Sequence, residues 1–212
     1  MIHWQTLTST NGGTSHMIPS TWPYDKYPDT PVLDAGKTVT LIDQDGPGIV
    51  SFLHISHYYD RAVYDKGPTK AESIIIRVWY DDEESPAIEM PLMDFLGDIQ
   101  CESTYFNTIY LSKVKQSHNF RLPLPFRKHI RITLENPTEM NLLGYSEVQW
   151  EEVPELLPDT GYLRVDYRAG TMQIPQKPEI LWDLQGPGTV VAHWLQYESD
   201  DPLCAKGELL CE

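Results

Sequence analysis

The chain has 212 residues, 41% of them hydrophobic and 11% aromatic, and a formal net charge of -15. That length allows one large β domain or two smaller ones around a sizeable core. The acidic balance argues against nucleic acid, whose phosphates need clustered Lys and Arg, and no run approaches the ~18 apolar residues of a membrane-spanning helix.

In chain order, the polar start from Met1 to Thr14 has no apolar signal-peptide core. The chain therefore reads as cytoplasmic if its N-terminus is native. Residues 1–35 form an extension ahead of the first periodic sequence, and residues 36–150 form the first unit. Phe52, His54, Ser56 and Tyr58 alternate with Leu53, Ile55, His57 and Tyr59, the period of a strand. Ile74 to Tyr80 is an apolar, β-branched run of strand length. Ile88, Met90 and Leu92 share one face of the next strand, and Ile130, Ile132 and Leu134 share a face further on. Tyr145 to Trp150 alternates too. Turn chemistry separates these runs: Asp81 to Pro86, and Glu135-Asn136-Pro137-Thr138. Residues 151–161 are acidic, rich in proline and free of periodicity, so they read as a linker. Tyr162 to Tyr167 alternates again and opens a second unit, residues 162–212, with Gln173 to Pro178 leading onward. Nothing sustains helical spacing over three turns, and 17 prolines punctuate short strands. The fold class is all-β, a sandwich or jelly roll.

Two ten-residue stretches are nearly alike. Leu41-Ile42-Asp43-Gln44-Asp45-Gly46-Pro47-Gly48-Ile49-Val50 recurs as Leu181-Trp182-Asp183-Leu184-Gln185-Gly186-Pro187-Gly188-Thr189-Val190, 140 residues apart from Gly46 to Gly186. A fixed-period match marks an internal repeat, here one complete unit and the opening of another. Glycines that permit positive φ around a proline allow a sharp turn into a strand. An Asp three residues before each first glycine, Asp43 and Asp183, is placed to cap that turn. A phosphate-cradling role is disfavoured, because a strand rather than a helix follows.

Chemistry candidates are few. His54 and His57 point to opposite faces at strand spacing, which disfavours a shared metal. Asp81-Asp82-Glu83-Glu84 offers oxygens of the kind calcium takes, but its place between two strands reads as a solvated hairpin turn. Arg127-Lys128-His129 either neutralises neighbours or touches a substrate. Cys101, Cys204 and Cys211 lack zinc spacing and read as free thiols, so neither a metal nor a cofactor is expected. No nucleophile-elbow, P-loop or dinucleotide motif is present. Asp94 follows a strand ended by Pro91 and precedes Phe95 and the loop glycine Gly97; it is either a binding carboxylate or a turn cap. Trp22, Trp79 and Trp194 offer aromatic surface, with Trp79 expected in the core.

Several of these pieces occur in an order typical of one family. They are Asp45 to Val50, Ile76 to Asp81, Ser85 to Gly97, Phe106-Asn107, Leu122 to Phe126 and Ile130 to Asn136. Together they resemble the DUF2961 family, glycoside hydrolase family 172, over roughly residues 36–212. The resemblance implies tandem jelly rolls, the second incomplete here, and trimer-based homo-oligomers with active sites near subunit contacts. It implies cleavage or transfer of α-linked furanosides, fructofuranosides or arabinofuranosides, by a retaining mechanism with two carboxylates. Glu212 matches the family's first catalytic glutamate by position, while the motif of the partner glutamate does not occur in these residues. The 212-residue chain alone is therefore expected to be inactive, as the N-terminal portion of a longer enzyme. Asp94, Phe95 and Asn107 are the expected substrate-binding residues. The alternative is a non-catalytic jelly-roll module that binds carbohydrate or a protein partner.

Overall fold

A computed structural model describes residues 13–20, 32–60, 73–99, 105–170, 183 and 185–195, with backbone alone for 32 and 57–60. Trp22, the three cysteines, the Gln173 to Pro178 segment and Glu212 lie outside the described residues.

Twelve strands and one short helix occur among the described residues. The first four strands are β1 (Thr14–Pro19), β2 (Val32–Leu33), β3 (Thr38–Asp45) and β4 (Gly48–Asp60). β5 (Ile75–Tyr80) and β6 (Ile88–Pro91) lead into helix α1 (Leu92–Phe95). β7 (Tyr105–Asn107), β8 (Leu111–Val114), β9 (Ser117–Phe120) and β10 (Leu124–Phe126) follow. β11 (His129–Glu135) and β12 (Leu142–Glu152) complete the set.

These strands form two antiparallel sheets. The larger, eight-stranded sheet runs β1-β12-β4-β9-β8-β7, with β10 beside the start of β4 and β2 beside β12. The smaller sheet runs β3-β11-β5-β6. Two strands of the larger sheet, β1 and β2, come from the segment before residue 36, so that segment supplies an edge of the first unit.

The architecture is an all-β sandwich, and its cause is the period-two pattern. Ile76, Val78 and Tyr80 on β5 are fully buried, as are Ile130, Ile132 and Leu134 on β11. They meet Leu53 and Ile55 of β4, Leu124 and Phe126 of β10, and Val148 and Trp150 of β12 in one core cluster. Each such aliphatic side chain contributes about 1.5–3 kcal/mol of burial. Trp79 departs from the expectation of a core residue. It occupies the outward face of β5, with the Arg131 guanidinium 4.1 Å above its ring. Strand parity forces this, because the inward positions already belong to Val78 and Tyr80.

The Asp81 to Pro86 stretch is a hairpin connection between β5 and β6, as its composition indicates. The first Gly-Pro-Gly turn works differently from the expectation. Gly46 and Gly48 do not take positive φ; the Gly46–Pro47 bond is cis. Glycine is needed there for space. A Cβ on Gly48 would stand 2.5 Å from Cζ of the buried Phe126 ring and 2.9 Å from the Glu151 carbonyl oxygen. Asp43 does not cap the turn either. It lies within β3, and its carboxylate meets His129 Nε2 at 2.7 Å.

Past Glu152 no strand forms among the described residues. Residues 162–167, expected to be a strand, lie instead as an unpaired segment against the first unit. Their alternation is met by side-chain partners: Tyr162 by Asp81, Arg164 by Glu83 and Tyr167 by Asp94. No helix among the described residues is long and apolar enough to cross a membrane.

Candidate functional site

The site begins at the end of β6. Pro91, with φ -55°, leads into α1, and Leu92, Met93 and Phe95 turn into the core. Gly97 closes the turn at φ 79°, a conformation that favours glycine, and its N–H donates to the Asp94 carbonyl oxygen at 3.0 Å. Three buried side chains out of four leave Asp94 as the residue of α1 whose carboxylate faces outward. That carboxylate accepts from the Tyr167 hydroxyl at 2.8 Å. Burial first, and then the bond to Asp94, push the Tyr167 phenol up to about 12, so at neutral pH the tyrosine keeps its proton and donates.

Trp194 approaches the same loop from beyond the second Gly-Pro-Gly. A Cβ on Gly97 would stand 3.3 Å from Trp194 Cζ2. The indole tilts against Phe106 of β7 at 6.3 Å between ring centres, and the residue is 46% exposed. The segments on both sides of the second repeat therefore return to α1, one through Tyr167 and one through Trp194.

Beneath the loop lies a buried ionic cluster that sequence reasoning missed. Asp98 Oδ2 meets Lys113 Nζ at 2.5 Å and His118 Nε2 at 2.9 Å, and Asp98 is 1% exposed. Burial by itself would raise the Asp98 carboxyl. The hydrogen bonds from His118 and Lys113, with the Lys113 charge, outweigh burial and hold it below the ordinary aspartate range. An ionised carboxylate only accepts, so the His118 proton belongs on Nε2. Lys113 and His118 are cross-strand partners on β8 and β9, which is why they converge on one carboxylate. Their sequence signal is a polar residue at an inward-facing strand position.

The other expected residues fall elsewhere. Phe95 stacks on Phe120 at 4.4 Å, inside the core beneath α1. Asn107 is exposed on the outward face of β7, opposite Ser112 in register. Ser112 faces Asn119, and Asn119 faces His54, giving a polar row across four strands. Within it His54 Nδ1 and Asn119 Oδ1 are 3.0 Å apart, and Asn119 donates to Ser112 Oγ at 3.1 Å. Phe106, not Asn107, shares the inward face with Lys113. The sheet thus separates Asn107 from the face that carries α1.

Away from α1, a concavity of about 540 Å³ opens between β1 and β3, lined by His16, Asp43, Asp45, His129, Trp150 and Glu152. His16 stacks on Trp150 at 4.4 Å. No group of three or more side chains able to hold a metal ion occurs among the described residues. The Arg127-Lys128-His129 cluster is used internally. Lys128 pairs with Asp82, His129 with Asp43, and Arg127 with backbone carbonyls of residues 157–160.

A family model described as GH172 domain-like matches residues 27–144. No curated protein matches the chain. Among solved structures, one titled "Structure of infectious bursal disease virus Gx strain" is similar at 9% identity and a TM-score of 0.29. That match covers 69% of this chain and 34% of the viral one, so the chain spans about a third of its length. A likeness at that level bears no weight.

Proposed function

This chain belongs to the GH172 domain-like family, and on that premise we propose that it forms part of a glycoside hydrolase acting on α-linked furanosides, fructofuranosides or arabinofuranosides. The family match over residues 27–144 is the observation that carries this reading. A retaining mechanism splits the displacement into two steps. One carboxylate attacks the anomeric carbon as the bond to the leaving oxygen breaks, and a second protonates that oxygen. Water then releases the sugar, activated by the same second group, with the two carboxyls about 5–5.5 Å apart. Glu212 is assigned one of the two roles.

Asp94 is assigned to substrate binding through its carboxylate on the α1 loop, and Asn107 to a separate contact on the opposite face of the sheet. Phe95 supports that loop from below through its stack on Phe120. The partly exposed indole of Trp194 beside Phe106 offers an apolar face for a sugar ring at the same loop. Assembly as a trimer-based homo-oligomer belongs to the same proposal.

The test uses the full-length protein. It should hydrolyse an α-D-fructofuranoside or α-D-arabinofuranoside, with the first-formed anomer retained by proton NMR. Glu212→Gln should abolish turnover. A wild-type protein that cleaves neither sugar refutes the enzyme reading, and in that case retained sugar binding would support a non-catalytic module. Retained activity in Glu212→Gln refutes the role of that residue.

A further inference from the structure

We propose that Asp81 and Tyr162 clamp the segment after β12 onto the β5–β6 hairpin, and that this makes Tyr167 a positioning residue for Asp94. The second half of the proposal rests on the reading of Asp94 as a substrate-binding carboxylate.

Asp81 sits at φ 54°, a left-handed conformation that aspartate tolerates better than most residues. One of its carboxylate oxygens accepts backbone N–H groups from Arg127 at 3.0 Å, Lys128 at 2.7 Å and His129 at 3.2 Å. Its other oxygen accepts the Tyr162 hydroxyl. A hairpin turn would need no such set of donors if its acidic residue were merely solvated. The Tyr162 ring centre lies 5.0 Å from that of the fully buried Tyr80 and 5.3 Å from the Arg127 guanidinium carbon. Arg127 also donates to the carbonyl oxygens of Leu157, Pro158 and Thr160, so one side chain holds both the approach to Tyr162 and its ring. Arg164 then pairs with Glu83 of the same hairpin, and Tyr167 reaches Asp94. Apart from the Val153 N–H, which donates to the Pro47 carbonyl oxygen at 3.1 Å, these attachments involve side chains, so the segment is held without joining a sheet.

The geometry sets the size of the effect. Tyr167 lies five residues after Tyr162 and fifteen after Glu152, the last residue of β12. With the clamp closed, Tyr167 is confined within about 17 Å of its anchor, at ~3.4 Å per residue. With the clamp open, and the Arg127 and Glu83 bonds to the same segment lost with it, the tether runs back to Glu152 and is about three times longer. Effective concentration falls roughly as the -3/2 power of tether length, so Tyr167 should meet Asp94 about fivefold less often.

The experiment compares the full-length wild-type protein with Tyr162→Phe, Asp81→Asn and Tyr167→Phe. Amide hydrogen exchange is followed by mass spectrometry, and KM and kcat are measured on p-nitrophenyl α-D-arabinofuranoside. Tyr162→Phe keeps the ring but removes the hydroxyl. It should speed exchange across residues 157–168 and raise KM about fivefold with kcat unchanged. Tyr167→Phe should raise KM similarly and speed exchange at Leu96 and Gly97, whose N–H groups bond within α1, while residues near Tyr162 stay protected. Unchanged exchange across 157–168 in both Tyr162→Phe and Asp81→Asn would overturn the clamp. Unchanged KM together with unchanged α1 exchange in Tyr167→Phe would overturn the positioning role. A wild type that cleaves no furanoside would sink the proposed function, while the exchange measurements would still decide the clamp and the α1 contact.

Discussion

Gly48→Ala should destabilise the first unit, whereas Gly188→Ala, the equivalent change in the second copy of the repeat, should not. The new Cβ at position 48 would stand 2.5 Å from Phe126 Cζ and 2.9 Å from the Glu151 carbonyl oxygen, both inside van der Waals contact. Neither neighbour yields easily. Phe126 is fully buried and packs against Trp150 at 6.1 Å, and Glu151 is held in β12 opposite Ile49. Overpacking of this kind costs about 1–3 kcal/mol. At Gly188 nothing lies within 4 Å of the added atom. Both substitutions lose the same flexibility in the unfolded chain, which favours alanine by about 0.4–1 kcal/mol, so the difference between them isolates the clash. That difference should be about 1–3 kcal/mol in urea unfolding, or roughly 2–12 °C in Tm for a chain of this size. Phe126→Leu in the Gly48→Ala background should recover part of the loss, with a coupling of about 0.5–3 kcal/mol. If Gly48→Ala unfolds at the same urea concentration as Gly188→Ala, close approach is not the reason for glycine at this turn.

Lys113→Met should cost about 3–5 kcal/mol in urea unfolding, because it removes the ammonium partner of the buried Asp98 carboxylate. Replacing both partners, Lys113→Met with Asp98→Leu, should be much milder, and equal losses in the single and double variants would refute the pairing. Acid should weaken the fold through Asp81 and Asp98, whose carboxyls are both held below their ordinary value. A depressed folded pKa stabilises fully above the unfolded value and is lost as pH falls through the folded one. Unfolding free energy should therefore drop below about pH 4, and Asp98→Asn should flatten that slope. An identical slope in the variant would remove Asp98 from the account.

Much of the fold was legible in the chain itself. The apolar run Ile74 to Tyr80 and the alternation over Ile130 to Leu134 and Tyr145 to Trp150 specified β5, β11 and β12, and the acidic run after Tyr80 specified the β5–β6 hairpin turn. Ordered motifs from Asp45 to Asn136 pointed to the family. Alternation, however, states only that neighbouring side chains face opposite ways. Which face becomes the core depended on the opposing sheet, so Trp79 went outward under Arg131 while Val78 and Tyr80 went inward. Alternation at Tyr162 to Tyr167 likewise could not say what the side chains would meet, and their partners proved to be Asp81, Glu83 and Asp94 rather than another strand. Asp98, Lys113 and His118 became one cluster only when β8 and β9 paired beneath α1. Periodicity is a local property that steric preference writes into a few consecutive residues. Register, burial and charge pairing depend on which distant segments come together, and that was decided by the packing of the two sheets.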